Sequence, residues 1–185
     1  MNILINDRYG GEGELSYKAM IAYAKALGKT IYCYYKTERY VNGSKKRVSV
    51  YDEYHGQAGD AMTKAERKIE MDLLYFSRPL TNREKIANCR VNKSWWKDQY
   101  ASSIAAHKIF EDRPMLARED PVLIKVVSDL KAESHAMMSH FRLITVDDNC
   151  KYLVMPYDGK EVVLTSKSEI DQITYDPDDD SIYSW

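Results

Sequence analysis

Gly10, Gly11 and Gly13 fall within four positions in a chain of 185 residues that holds only eight glycines. Directly before them stands the apolar run Ile3-Leu4-Ile5, and directly after them the segment ELSYKAM. Adjacent aliphatics of this kind suit a strand buried on both faces. Ser16 can cap a helix whose apolar positions Ala19, Met20, Tyr23, Ala24 and Leu27 follow helical spacing, and Gly28 stands where such a helix ends. TIYCYY then reads as a second strand. The opening therefore predicts strand, glycine loop, helix and strand, a βαβ-like unit over residues 1–35.

A glycine loop between strand and helix lets bare backbone N–H groups approach an anion, and the helix N-terminus adds positive potential. On this reading Arg8 and the amides of Gly10, Gly11 and Gly13 take a phosphate, and Tyr9 stacks on a base. YGGEGELS lacks the one-and-two glycine spacing of a dinucleotide fingerprint, and no Gly-Lys-Ser/Thr follows it. Glu12 and Glu14 would repel a phosphate unless Arg8 offsets them. The alternative is that the glycines serve a tight turn needing positive φ, which glycine adopts without steric cost.

With 44% hydrophobic residues and a net charge of −1, the chain can bury a real core, and a single domain over 1–185 is expected. MNILIND is no basic leader, and no uncharged run approaches the ~18 residues of a membrane span, so a cytoplasmic protein without a membrane partner is expected. Cys33, Cys89 and Cys150 are far apart and without CxxC spacing, which argues against a disulfide framework and a thiolate metal site. Charge is uneven: residues 36–108 hold fifteen Lys/Arg against nine Asp/Glu, and residues 147–185 three Lys against ten Asp/Glu. Such a split fits a nucleic-acid surface beside an acidic tail, two parts that attract each other, or two solvated faces.

The middle of the chain reads as basic and mostly helical. Thr63 with Glu66 forms a capping box ahead of Ala65, Ile69, Leu73 and Phe76, and Pro79 ends that helix. Thr81 with Glu84 gives a second box. Ser94 caps a third helix predicted through Trp95, Trp96, Tyr100, Ile104, His107 and Phe110. LTNREKIANCRVNKSWW has an echo of a helix-turn-helix, but it lacks the turn glycine and its Ala-to-Val spacing is one residue short.

Asp120-Pro121 reads as a cap followed by proline at the first helical position, with Val122, Leu123, Val126, Val127 and Leu130 as the apolar stripe. FRLITV, KYLVMPY and EVVLTS are strand-like, and Asp158-Gly159 is a hairpin-turn signal. The expected fold is α/β (α+β): a small mixed sheet with the βαβ-like unit, a C-terminal hairpin, a core of residues 1–35 and 108–175, and a helical insertion over 36–107.

INDRYGGEGELS followed by a helix resembles the start of a phage-encoded accessory family that opens with a strand, Asn-x-x-Tyr-Gly-Gly-Phe and Leu-Ser. FEDRPMLAREDPVLIKVVSDL and PYDGKEVV are similar to that family's later Arg-Asp-Asp-Pro helix and Tyr-Asp-Gly hairpin. The resemblance covers roughly residues 1–35 and 108–165. Glu12 stands where the family has Phe, and Gly13-Glu14 lengthens the loop. The resemblance implies a protein made during infection, and a link to Thoeris anti-defence sponges implies holding a cyclic ADP-ribose signal without cleaving it.

Nothing in the residues nominates catalysis. His55, His107, His135 and His140 form no HExxH and no paired His-x-Ser/Thr signature. His135 and His140, five apart, do not share a helix face for a metal. No serine or cysteine sits in a nucleophile elbow. The expectation is a non-enzymatic binder without cofactor or metal that counters a host defence by sequestering a nucleotide signal. Arg8, Tyr9, Gly10, Gly11 and Gly13 would form the site, with Arg113 and Arg118 completing it if the fold brings them near. The alternatives are direct inhibition of a host defence protein, and a DNA-associated regulator acting through the insertion; nucleic acid is the less favoured partner. A homo-oligomer is compatible with each.

Overall fold

The computed structural model describes residues 1–11, 13–40, 47–56, 69, 73–86, 98–104 and 117–165. They form a mixed α+β fold of two helices and three antiparallel arrays of strands. Strand β1 (Asn2–Asn6) has all but its first residue buried, as its aliphatic run requires. Helix α1 (Tyr17–Ala26) begins at Ser16, whose hydroxyl accepts from the Ala19 N–H at 3.1 Å, and is followed by Gly28 at φ +68°.

β2 (Tyr32–Tyr40) lies in a sheet of order β3-β2-β4-β5, with β3 at Arg47–Glu53, β4 at Leu74–Phe76 and β5 at Gln99–Tyr100. β1 pairs instead with β6 (Phe141–Thr145), antiparallel, with Leu4 opposite Leu143. The βαβ-like expectation is thus corrected. The element order holds, but β1 and β2 belong to different sheets, because helical and turn residues from the far end of the chain pack against α1 and bring β6 to β1.

The described part of residues 36–107 is chiefly strand, not helix. Ile69 is helical, yet Leu74–Phe76 pairs with Tyr32–Tyr34, so the helix predicted through Phe76 stops before it. Tyr100, predicted on a helix, pairs with Tyr75. Aromatic residues fit a pleated, half-buried surface, and cross-strand packing here overrides the helical spacing. The Thr81–Glu84 box does form: the Thr81 N–H donates to Glu84 Oε2 at 2.9 Å and the Glu84 N–H to Thr81 Oγ1 at 3.3 Å. It caps a single turn, after which Ile86 bridges to Val50. The rest of the helix-turn-helix echo, Trp95, Trp96, His107, Phe110 and Cys89 lie outside the described residues.

The core joins Leu4 and Phe141 of the β1–β6 ribbon to Met20 and Tyr23 of α1 and to Leu123, Val126 and Val127 of α2 (Pro121–Leu130). Cys33 and Tyr75 enter the same core from one face of the four-stranded sheet. Tyr34 and Phe76 point to the other face and pack with Tyr51 and Leu80. Both faces are thereby covered at the Tyr32–Tyr34 end of β2, while its far end is exposed. Asp120 caps α2, accepting from the Val122 N–H at 2.8 Å and from the Tyr23 hydroxyl, which ties α2 to α1. The C-terminal hairpin joins β7 (Leu153–Tyr157) to β8 (Lys160–Leu164) through Asp158 and Gly159, both at positive φ, as a tight two-residue hairpin turn demands. No helix among the described residues is long and apolar enough to cross a membrane.

Candidate functional site

Asn6, the last residue of β1, is the knot that holds the site. It is 1% exposed, and a buried amide must find partners for its donors and acceptor. Its Nδ2 donates to the carbonyls of Arg8 at 3.1 Å, Gly11 at 3.3 Å and Gly159 at 2.7 Å, and its Oδ1 accepts from the His140 N–H at 2.9 Å. Its backbone N–H donates to Glu161 Oε2 at 2.8 Å. One side chain thus gathers the glycine loop, the turn before β6 and the tip of the β7–β8 hairpin.

The glycines are consumed by this packing. The Gly10 N–H donates to the Asp158 carbonyl at 2.6 Å. A Cβ on Gly11 would lie 1.7 Å from the Met138 carbonyl oxygen, and one on Gly159 would lie 2.3 Å from the Gly11 oxygen. Gly13, at φ +65°, packs against Asn6 and Ile104. Of the three loop glycines, Gly10 and Gly13 have positive φ, and Gly11 is required by close backbone approach. The loop is therefore built onto the hairpin, with the Gly10 amide already bonded.

Arg118 goes to the interior. Its guanidinium meets Glu161 in a two-bond pair at 3.1 and 3.2 Å, with both side chains under a tenth exposed. It supports the knot from beneath and does not reach outward. Arg113 lies outside the described residues, as does Glu12.

Arg8 and Tyr9 project from the loop. The Arg8 guanidinium donates to the Met137 carbonyl at 2.7 Å. Tyr9 is 55% exposed and sits edge-on to Tyr157, which is 70% exposed, with ring centroids 6.2 Å apart. Lys160 Nζ lies 5.4 Å from the Tyr9 ring centre and 2.9 Å from Asp7. Arg142 reaches Asp7 from β6 at 3.4 Å. The hydrogen bond from Lys160, with its charge and the hydrogen bond and charge of Arg142, holds the Asp7 carboxyl below the usual carboxylate range against the opposing effect of its burial. Arg8, Arg142 and Lys160 outnumber Asp7 and Asp158 by one charge. Among the described residues the cluster therefore carries one excess positive charge beside two exposed aromatic rings.

Of the residues in this cluster, the sequence reading names Arg8 and Tyr9 and does not name Arg142, Tyr157 or Lys160. The Tyr-Asp-Gly hairpin was visible, but nothing in spacing alone places its flanks beside residue 9. Compared with known protein families, curated proteins and solved structures, the chain matches none of them.

Proposed function

We propose that this chain is a non-enzymatic binding protein whose surface around Tyr9 holds a nucleotide-like anion. One observation carries the reading: two exposed tyrosine rings lie among the cations Arg8, Arg142 and Lys160, on a loop and hairpin fastened by Asn6. A base can stack on a tyrosine face while a phosphate takes charge-assisted bonds from the guanidinium and ammonium groups. The anion contacts in this reading are side chains, since the Gly10 amide already serves the hairpin. Within the phage accessory role that the sequence resemblance implies, the ligand is a cyclic nucleotide immune signal and the role is sequestration.

Calorimetry with a panel of mononucleotides, cyclic dinucleotides and cyclic ADP-ribose tests this. Saturable binding is expected, with the ligand released intact by heat, and Tyr9→Ala or Lys160→Ala should weaken it about ten- to a hundredfold while leaving the melting temperature near that of the parent. No binding across the panel, or release of a cleaved product over many turnovers, overturns the proposal.

A second reading, direct inhibition of a host defence protein, is supported by the same residues, because tyrosine and arginine are the side chains that most often anchor protein interfaces. Loss of a captured effector on Tyr157→Ala, with no nucleotide bound, would select it.

A further inference from the structure

The β1–β6 ribbon has a second working face. Side chains alternate along a strand, so Leu4, Phe141 and Leu143 point away from Ile5 and Arg142. On the Leu4 side lies a pocket of about 330 Å³, at the small end of the range for ligand sites. Its floor is hydrocarbon from Leu4, Val127 and Phe141, and its rim carries Lys131, His135 and His140.

The two histidines meet because the chain between them reverses. The Ser139 N–H donates to the Ala136 carbonyl at 3.0 Å, and the imidazole centroids come within 5.1 Å at a steep angle. Their backbones are fixed by different elements, His135 by a bridge to Leu15 and His140 by the Asn6 amide. Lys131, at the end of α2, has φ +52°, and its carbonyl accepts from the Ser134 hydroxyl at 2.6 Å. A non-glycine residue held in that region of backbone space is strained, and such strain persists where surrounding structure imposes it.

None of the described residues lining the pocket carries a carboxylate. Two imidazoles beside an ammonium make a poor metal donor set, and no group of three metal-ligating side chains occurs among the described residues. Nitrogen donors over a hydrocarbon floor match an anion with an apolar body. We propose that this pocket binds a small monocarboxylate, its charge on Lys131 and the His135–His140 pair and its apolar part on Leu4, Val127 and Phe141.

The neighbouring charges are paired off. Lys125 meets Asp129 on α2, Glu133 meets Lys18 across to α1, and Arg142 meets Asp7 on the far side of the ribbon. Protonation of His135 adds positive charge at the rim, so binding should tighten as pH falls. Burial, and then the charge of His140, holds His135 below the usual imidazole range when the pocket is empty.

The experiment is an NMR titration of the full chain with benzoate and with hexanoate at about pH 6 and about pH 8, following the imidazole signals. Expected are saturable shifts of both rings, binding about tenfold tighter at the lower pH, and weakening of about tenfold on Lys131→Gln. His140→Gln, at an exposed position that should not affect folding, should weaken binding. Lys125→Gln should change nothing. The proposal is overturned if neither carboxylate moves the ring signals at millimolar concentration, if inorganic phosphate binds as well as benzoate, or if zinc ion saturates the pair where the carboxylates do not.

Discussion

Arg118 and Glu161 make a buried two-bond ion pair, and the same Glu161 oxygen that accepts from Arg118 Nη1 also accepts the backbone N–H of Asn6. The pair joins the segment before α2 to β8 and completes the hydrogen bonding of the knot. Removing one partner strands a charge in the interior. Glu161→Leu alone should therefore cost about 3–5 kcal/mol, read as a lowered urea midpoint, whereas Arg118→Met with Glu161→Leu should recover a large part of that loss. A double variant no more stable than the single one would show that the pair does not act as a unit.

The glycines differ in what they tolerate. Gly11→Ala places a methyl group against the Met138 carbonyl, and Gly159→Ala combines that kind of collision with φ +82°, so each should cost well over 1 kcal/mol. Gly28 also has positive φ but open space around its Cα, so Gly28→Ala should cost only about 1 kcal/mol. Thermal melts of the three variants give the ranking, and a harmless Gly11→Ala would refute the packing of the loop on the turn before β6.

Two serines should respond in opposite ways. Ser139 Oγ is buried without a hydrogen-bond partner among the described residues, so Ser139→Ala should be neutral or stabilise by up to about 1 kcal/mol. Ser16 caps α1 and its hydroxyl also donates to the Glu133 carbonyl at 2.6 Å, so Ser16→Ala should destabilise by about 1–2 kcal/mol. Denaturant unfolding of both variants checks the contrast.

Acid should weaken the Thr81 turn. The Arg78 guanidinium, and after it the Thr81 N–H and hydroxyl, hold the Glu84 carboxyl at about 2 against the opposing effect of burial. A carboxyl whose folded pKa is depressed stabilises the fold above its unfolded value, about 4.3, and that contribution disappears as pH falls towards 2. Arg78 is more than a third exposed, so solvent screening limits the effect to about 1 kcal/mol. Stability measured across this range should fall less steeply in Glu84→Gln than in the parent, and parallel curves would contradict the assignment.

The parts of the fold that were legible in the sequence are those decided locally. Ser16, Gly28, Asp120-Pro121 and Asp158-Gly159 each mark an element end through a bond or dihedral made within a few residues, and each stands where expected. The strands β4 and β5 were read as helix because their aromatic residues also satisfy helical spacing; their pairing with β2 and with each other is what decides. The site divides in the same way. Arg8 and Tyr9 show themselves by following a glycine loop, whereas the inward turn of Arg118 depends on Glu161 and the company of Lys160 and Tyr157 depends on where the hairpin docks. Helical spacing separates His135 from His140, but that geometry does not apply across a reversing turn.

The partnership of Asn6 with the turn before β6 spans 134 positions of chain, and β1 takes its strand partner from the same distant region. A ribosome adds about 5–20 residues per second, so an unbroken aliphatic strand waits on the order of ten seconds before its complement has been made. Closing so long a loop is also slow for the full-length chain, because the entropy of bringing its ends together is lost before the contact repays it. During that interval Ile3, Leu4 and Ile5 form a sticky, unpaired segment. The exposure of β1 during synthesis therefore follows from the distance along the chain to β6, and shielding of nascent aliphatic segments would favour the folded form.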